Sequence, residues 1–168
     1  MPTSPRAVIT APGGLGGPCA PLPMFATDAA VARGAEARPI WWQHVDELRA
    51  LPENEIGALV AAQIAPHVRD CDPAGTLLVG KSLGSHGSTV AADNDLPAVW
   101  LTPLLTQEWV VDGLRRSAAP YLLVGGTADP SWDSALAREL TPYVLEVDGA
   151  DHGMYVPGRL AASTAVLG

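Results

Sequence analysis

Residues 75–85 of the chain read GTLLVGKSLGS, and this stretch fits two motifs that belong to different folds. Counted from Gly75, it matches the phosphate-loop pattern G-x-x-x-x-G-K-[ST], whose backbone N–H groups hold nucleotide phosphates. Counted from Gly80, it matches G-x-S-x-G, in which a serine stands on a sharp turn between a strand and a helix. The choice between a nucleotide site and a serine nucleophile at Ser82 decides how the rest of the chain is interpreted.

The residues around the motif favour the serine nucleophile. A phosphate loop needs a buried strand before its first glycine, but residues 69–74 read RDCDPA and are too polar for one. The four variable positions, TLLV at 76–79, are themselves the apolar run. They predict a strand that ends near Gly80, a turn at Ser82 and a helix after it, with small residues on both sides of the turn. A turn that is rich in glycine only for packing remains the alternative from the motif alone.

The composition is typical of a compact globular protein. Of the 168 residues 48% are hydrophobic and 17% are charged, which suits one core and a single domain over 1–168. Eighteen acidic against ten basic residues give a net charge of −8, which disfavours nucleic acid as a partner. Cys19 and Cys71 lie far apart, and the histidines lack metal-ligand spacing, so we expect no disulfide framework, no metal and no cofactor.

Neither end of the chain predicts a membrane segment. The N-terminal MPTSPRAVITAPGG lacks the apolar core of a secretory signal, and no apolar run approaches the roughly 18–20 residues of a membrane span. We therefore expect a cytoplasmic protein without membrane contact. The last predicted helix, 157–167, is short and stops abruptly, and the sequence leaves open whether the C-terminus is clipped there.

Short apolar runs alternate with helical stretches along the chain, which predicts parallel strands joined by crossover helices. The runs show no polar alternation, as expected of strands covered on both faces. The predicted strands are 7–11, 39–45, 76–82, 97–103, 121–126 and 143–149, and the predicted helices are 22–34, 53–70, 84–92, 106–117, 133–140 and 157–167. We therefore expect a three-layer α/β sandwich around a mostly parallel sheet of about six strands. The core should include Trp41, Trp42, Trp100 and Trp109.

A serine nucleophile needs a base, and the base needs an acid that orients it. In YLLVGGTADPSWD (121–133), Asp129 lies three residues past a predicted strand. In VLEVDGADHGMYVPG (144–158), His152 lies three residues past the next one. Asp151 adjoins His152, but sequence neighbours rarely orient each other's side chains across a ring. The predicted triad is therefore Ser82, Asp129 and His152 in chain order.

The three motifs, in this order, resemble the α/β-hydrolase superfamily, most closely its small, lidless serine hydrolases of the dienelactone-hydrolase type. The resemblance runs from AVITAPGG (7–14) to DHGMYVPG (151–158). It implies a minimal sheet without the first two of the usual eight strands, and no lid domain, since 104–120 leave room for one helix. The chain departs from many members at Pro12, where they carry a histidine.

The resemblance also implies roles for named residues. Ser82 would form an acyl-enzyme, His152 would move the proton, and Asp129 would orient the imidazole. An oxyanion hole would combine the backbone N–H of Leu83 with one amide of the glycine-rich loop after the first strand. The candidates for that amide are Gly13, Gly14 and Leu15, and glycine lets the backbone approach the substrate closely.

Other side chains are candidates for the substrate site. Lys81 either attracts an anionic group of the substrate or pairs with a neighbouring carboxylate, and the second is the commoner fate of such a lysine. Trp132, Met154 and Tyr155 are candidates for apolar walls. Outside the site, we expect His86 and His67 to face solvent, His44 to lie at the crevice edge, and Asp133 to begin a helix.

The expected function is a serine hydrolase that cleaves an ester, thioester or related acyl bond of a small, partly apolar substrate. The expected partner is that small molecule, and a homodimer stays open. Two alternatives remain. One is a non-hydrolytic enzyme such as a lyase, isomerase or cyclase that uses the pocket and His152 without an acyl-enzyme. The other is a binding protein that has kept the fold without activity.

Overall fold

The computed structural model describes residues 4–158, which form one parallel sheet of six strands. All five neighbouring strand pairs are parallel, in the order β2-β1-β3-β4-β5-β6. The strands are β1 Ala7–Ala11, β2 Glu36–Pro39, β3 Thr76–Lys81, β4 Ala98–Leu101, β5 Tyr121–Gly126 and β6 Val144–Val147. The expected α/β fold with a mostly parallel six-stranded sheet is confirmed.

Helices cover both faces of the sheet. They are α1 Pro21–Val31, α2 Val45–Ala50, α3 Glu53–Val68, α4 Ser88–Asp93, α5 Glu108–Arg116 and α6 Ser134–Leu140, with 3-10 turns at Gly17–Cys19, Pro73–Gly75 and Ser82–Gly87. Helices α3 to α6 pack on one face around Ile64, Leu78, Trp100 and Leu123, which are almost fully buried. Helix α1 packs on the other face, over Val8 and Val79. The rest of the predicted last helix, 159–167, lies outside the described residues.

The second strand differs from the predicted one. The apolar run 39–45 is not a strand, because β2 is the polar segment Glu36–Pro39 and the chain leaves the sheet at Ile40. An edge strand pairs on one side only, so its side chains can be exposed and charged. Ile40 and Trp42 then turn toward the core while Trp41 is 62% exposed, so the predicted burial of Trp41 is wrong. Trp100 is buried, and Trp109 is partly exposed.

The strand order reverses next to β1, and this reversal places the site. The chain goes from β1 to β2 on one side and then to β3 on the other. The loops that follow β1 and β3 therefore diverge from the same point, and such a crevice at the carboxyl ends of parallel strands is where α/β sheets bind ligands. The glycine-rich segment after β1 and the GKSLG segment after β3 both reach it. No helix of the described residues is long and apolar enough to cross a membrane.

Candidate active site

Ser82 stands on a strained turn directly after β3. Its φ of 49° lies in the left-handed region, which non-glycine residues rarely adopt. Strand β3 ends at Lys81, and the 3-10 turn Ser82–Gly87 leads directly into α4. Backbone strain of this kind costs about 1–3 kcal/mol and persists only where the surrounding structure enforces it. The turn holds Ser82 at the carboxyl end of the sheet, where G-x-S-x-G predicts a nucleophile.

The two glycines of the motif stand where no side chain would fit. A Cβ on Gly84 would lie 2.0 Å from the carbonyl oxygen of Ala11 in β1. A Cβ on Gly80 would lie 2.4 Å from the Trp100 ring in β4. Both distances are far shorter than a van der Waals contact, so the turn can pack against both neighbouring strands only with glycine at these positions.

The structure brings Ser82, His152 and Asp129 together. His152 Nε2 lies 2.7 Å from Ser82 Oγ, and His152 Nδ1 lies 2.7 Å from Asp129 Oδ2. The other oxygen of Asp129 accepts a 2.9 Å hydrogen bond from Ser131 N. The Asp129 carboxylate is almost completely buried, whereas the imidazole is 36% exposed. The two loops that carry the pair are joined by a hydrogen bond from Ala128 N to Ala150 O.

These contacts define the direction of proton movement. An ionised carboxylate only accepts hydrogen bonds, so the bond to Asp129 places the imidazole proton on Nδ1. Nε2 then has a free lone pair toward Ser82 Oγ and can accept the hydroxyl proton. A serine activated in this way can attack an electrophilic carbon such as an ester carbonyl.

Two other aspartates in the region have structural contacts. Asp151 Oδ1 accepts hydrogen bonds from the backbone N–H groups of Gly153 and Tyr155, at 2.8 and 3.0 Å, and so closes the turn that carries His152. Asp133 precedes α6 and accepts from the first amides of that helix. Its expected position at a helix N-terminus agrees with this cap.

The segment after β1, residues 12–15, lies beside Ser82, and we call it the oxyanion loop. A Cβ on Gly13 would stand 3.7 Å from Ser82 Cβ, and one on Gly14 would stand 3.5 Å from a methyl group of Leu83. Within residues 4–158, no backbone carbonyl accepts from Gly13 N or Gly14 N. Leu83 N lies in the first turn of its helix, where N–H groups lack a partner within the helix. Leu15 is 72% exposed at the rim.

A cavity of about 410 Å³ opens next to Ser82 and His152. This volume suits a small molecule. The other residues that line it are Gly13, Gly14, Leu15, Arg49, Ile56, Lys81, Leu83, His86, Leu104, Thr106, Gln107 and Ser131. Of the lining side chains that the structure describes, two are cations and none is a carboxylate, in a protein whose net charge is −8. The cavity therefore combines apolar walls with a local positive charge.

Lys81 does not form the expected ion pair. Among the side chains that the structure describes, no carboxylate forms an ion pair with its ammonium group, although Asp129 and Asp151 are near enough to attract it electrostatically. The side chain is partly buried against Gly13 and the cavity. Burial lowers the pKa of Lys81, and the two aspartates oppose this shift only in part. Its cation remains available to a ligand.

The three predicted apolar walls lie outside the cavity. The Trp132 indole packs against Gly125, where a Cβ would come within 2.1 Å of the ring, and its N–H donates to Glu146. Met154 packs among the residues on the α1 face of the sheet. Tyr155 follows it and is 46% exposed. Ile56, Leu83 and Leu104 supply the apolar lining instead.

The histidine predictions need two corrections. His86 is 2% exposed and lines the cavity, so its expected exposure is wrong: the turn Ser82–Gly87 packs against α3 and α5, which cover it. His44 is exposed and begins α2, with Nδ1 3.3 Å from Glu47, and it does not line the cavity. His67 is exposed on α3, as expected.

Several lining residues were not anticipated from the sequence. Arg49 belongs to α2, a six-residue helix in a region where an apolar run suggested a strand. Leu104, Thr106 and Gln107 lie in the connection between β4 and α5. Their position directly after a strand at the edge that carries the nucleophile was the available signal, because loops at that edge converge on one crevice.

The architecture of the chain matches that of solved hydrolase structures. No model of a known protein family matches the sequence, and no curated protein matches it either. A dienelactone hydrolase from Anabaena variabilis superposes with a TM-score of 0.69 at 19% identity, over 99% of this chain and 86% of its own. The chain has the α/β-hydrolase fold.

Two further solved structures share the overall fold. Est1E from Butyrivibrio proteoclasticus, solved with ferulic acid bound, has a TM-score of 0.64 at 13% identity over 99% of this chain and 88% of its own. A serine hydrolase without a lid from Xanthomonas campestris has a TM-score of 0.57 at 15% identity over 90% and 76%. In this α/β-hydrolase fold, α5 is the single helix between β4 and β5 within the described residues, as expected for a lidless form.

Proposed function

We propose that the protein is a serine hydrolase that cleaves an ester, thioester or related acyl bond of a small, partly apolar substrate. The observation that carries this proposal is the pair of 2.7 Å hydrogen bonds that join Ser82, His152 and Asp129 beside an open cavity. The structural neighbours, a dienelactone hydrolase among them, support a hydrolase with ester activity.

The mechanism follows from the proton positions. His152 Nε2 takes the Ser82 proton while Oγ attacks the acyl carbon, and the buried Asp129 carboxylate stabilises the imidazolium that forms. The oxyanion of the tetrahedral intermediate accepts hydrogen bonds from Leu83 N and from an amide of the oxyanion loop. His152 returns the proton to the leaving alcohol or thiol. A water molecule, deprotonated by the same imidazole, then releases the acyl group from Ser82.

The cations of the cavity favour an acyl group that carries a carboxylate. Lys81 Nζ lies 3.8 Å, and Ser82 Cβ 3.7 Å, from the one point where a Cβ on Gly13 would stand. The two atoms are therefore no farther apart than the sum of these distances, which a chain of two or three carbons can span. Arg49 forms an exposed ion pair with Asp46 at 3.6 Å. A monoester of a short dicarboxylic acid fits this spacing.

Covalent labelling tests the nucleophile. The purified protein is incubated with a fluorophosphonate and its intact mass is measured, alongside Ser82→Ala, His152→Ala and the control Ser117→Ala. Ser117 lies outside the cavity, and its hydroxyl bonds the nearby Ala119 carbonyl. We expect one adduct on the wild type and the control, none on Ser82→Ala, and strongly slowed labelling of His152→Ala.

The opposite result is equally clear. A well-folded wild type that takes no adduct would contradict an activated Ser82. The cavity and His152 would then point to non-hydrolytic chemistry or to ligand binding without turnover. An adduct that persists in Ser82→Ala would show that another nucleophile reacts.

A further inference from the structure

The oxyanion loop is held from a distant part of the chain. Trp42 Nε1 donates a 3.1 Å hydrogen bond to the carbonyl oxygen of Pro12, thirty residues earlier. Among the backbone groups and side chains that the structure describes, no other hydrogen bond holds the backbone of residues 12–15. The Trp42 ring is partly buried and packs against the larger core cluster. The indole N–H is therefore a fixed donor at one end of the loop.

A hydrogen bond at this carbonyl restricts the direction of the next amide. The chain has no cis peptide bonds among the described residues, and in a planar trans peptide the C=O and the following N–H point in opposite directions. Holding Pro12 O toward Trp42 thus directs Gly13 N–H away from it. Gly13 and Gly14 have no side chains to restrict their dihedral angles, so without this bond the loop has wide conformational freedom.

We propose that Trp42 is a positioning residue, whose indole N–H keeps the oxyanion loop in the orientation that presents its amide to the oxyanion at Ser82. The inference rests on the proposed hydrolase function. Its physical basis is that an oxyanion hole stabilises the transition state only if its donors are already directed at the developing charge. The role is distinct from that of Asp129 and His152, because Trp42 contacts neither the nucleophile nor the base and acts on the loop alone.

Two substitutions of Trp42 separate the effect of its indole N–H from the effect of its aromatic ring. Trp42→Phe keeps an aromatic side chain without the N–H, and replacement of Trp42 by benzothienylalanine keeps the bicyclic shape without it. With p-nitrophenyl acetate we expect kcat to fall by about tenfold to a hundredfold in both variants, the range for a misplaced or lost donor, with KM within about twofold. The inhibition constant of phenylboronic acid, which forms a tetrahedral adduct with the serine, should rise by a similar factor.

The control variant is Trp132→Phe. The Trp132 indole also donates one hydrogen bond, to Glu146, but it lies outside the cavity. We expect this variant to have a lower melting temperature than the wild type, while its kcat and boronate affinity stay within about twofold of the wild-type values. The dependence of kcat on pH should be the same in all variants as in the wild type, because none of the substitutions replaces Ser82, His152 or Asp129.

The possible outcomes separate failure of the positioning role of Trp42 from failure of the proposed hydrolase function. If the wild type labels with fluorophosphonate and the Trp42 variants retain kcat and boronate affinity, even with a lower melting temperature, the positioning role is overturned and Trp42 is structural only. If the folded wild type neither labels nor turns over the ester, the proposed function fails, and the positioning role fails with it. Loss of kcat and boronate affinity together, at unchanged KM, supports the role.

Discussion

Ser85 Oγ donates a 2.6 Å hydrogen bond to the carbonyl oxygen of Ser82. The same hydroxyl oxygen accepts a 3.2 Å hydrogen bond from Leu104 N, in the loop after β4. Ser85 is fully buried. One side chain therefore joins the strained turn of Ser82 to the loop after β4, in which Leu104 lines the cavity.

Replacing Ser85 by alanine should affect both stability and turnover. The change leaves Ser82 O and Leu104 N without this partner, and an unsatisfied buried group costs about 1–3 kcal/mol. We expect the free energy of unfolding in urea to fall by about 2 kcal/mol, and kcat to fall about tenfold as the turn loosens. The matched control is Ser88→Ala, whose buried hydroxyl bonds Val110 O away from the cavity. Equal kcat for both variants would contradict the role of Ser85.

The left-handed backbone at Ser82 gives a second prediction. A Cβ in this region costs about 1–2 kcal/mol, and glycine avoids that cost. Ser82→Gly should therefore have a higher free energy of unfolding in urea than Ser82→Ala. The expected difference is about 1 kcal/mol, after the greater freedom of glycine in the unfolded chain is subtracted. Both variants should be inactive. A Ser82→Ala protein as stable as Ser82→Gly would mean that the turn carries no strain.

Lys81 should set a preference for anionic substrates. In Lys81→Met we expect kcat/KM for monoethyl succinate to fall about tenfold or more, the scale of one lost charge-assisted hydrogen bond, while that for ethyl butyrate stays within about twofold. Release of ethanol measures both rates. Arg33→Met, which removes an exposed cation that is not among the residues lining the cavity, is the control for overall charge.

The same preference should depend on pH. Burial lowers the pKa of Lys81 from 10.5, so its cation is lost at a lower pH than that of a free lysine. The ratio of the two kcat/KM values should therefore decline with rising pH through a midpoint below 10.5, and it should be flat in Lys81→Met. Lys81 is the only lysine in the sequence, so reductive ¹³C-methylation gives an NMR signal that titrates it directly. A midpoint above 10.5 would contradict the effect of burial.

Glu146 should contribute to stability in acid. Hydrogen bonds from Ser134, Trp132 and Arg138 lower the pKa of Glu146 from 4.5 to about 2. A carboxylate whose pKa is lower in the folded state stabilises it above the unfolded pKa, and the contribution is lost as the pH falls through about 4.5 to 2. The melting temperature of the wild type should exceed that of Glu146→Gln at pH 6, and the difference should shrink toward pH 2. Glu139→Gln, in an exposed pair with Arg115, should show little difference at either pH.

Much of the fold followed from the sequence because the central strands carry their own signal. The segments TLLVGK and YLLVGG are apolar on both faces, as central parallel strands must be, and their predicted bounds are nearly those observed. The edge strand EARP has no such signal, since solvent replaces one neighbour. The strand was instead predicted at the adjacent apolar run 39–45. The apolar residues of that run that reach the core do so from a loop.

For the candidate site, too, some features could be predicted from the sequence and others could not. The spacing of Ser82, Asp129 and His152 relative to strand ends could be predicted because backbone topology alone brings strand ends together. The walls of the cavity could not, because they depend on which way a side chain turns within a loop. Trp132 turned to pack on Gly125, where hydrogen bonding to Glu146 holds its indole, and the buried His86 was covered by helices from elsewhere in the chain.

The all-parallel sheet has a consequence for how the protein reaches its native state. Parallel neighbours cannot be joined by hairpins, so every strand pair waits for a segment that is distant along the chain, and such topologies fold slowly. Ser82 and His152 are seventy residues apart, and His152 follows the edge strand β6. After dilution from denaturant, the contact between Ser82 and His152 can form only when β6 has docked. The rate at which the site is recovered on refolding should therefore report the docking of β6, and not the earlier collapse of the core.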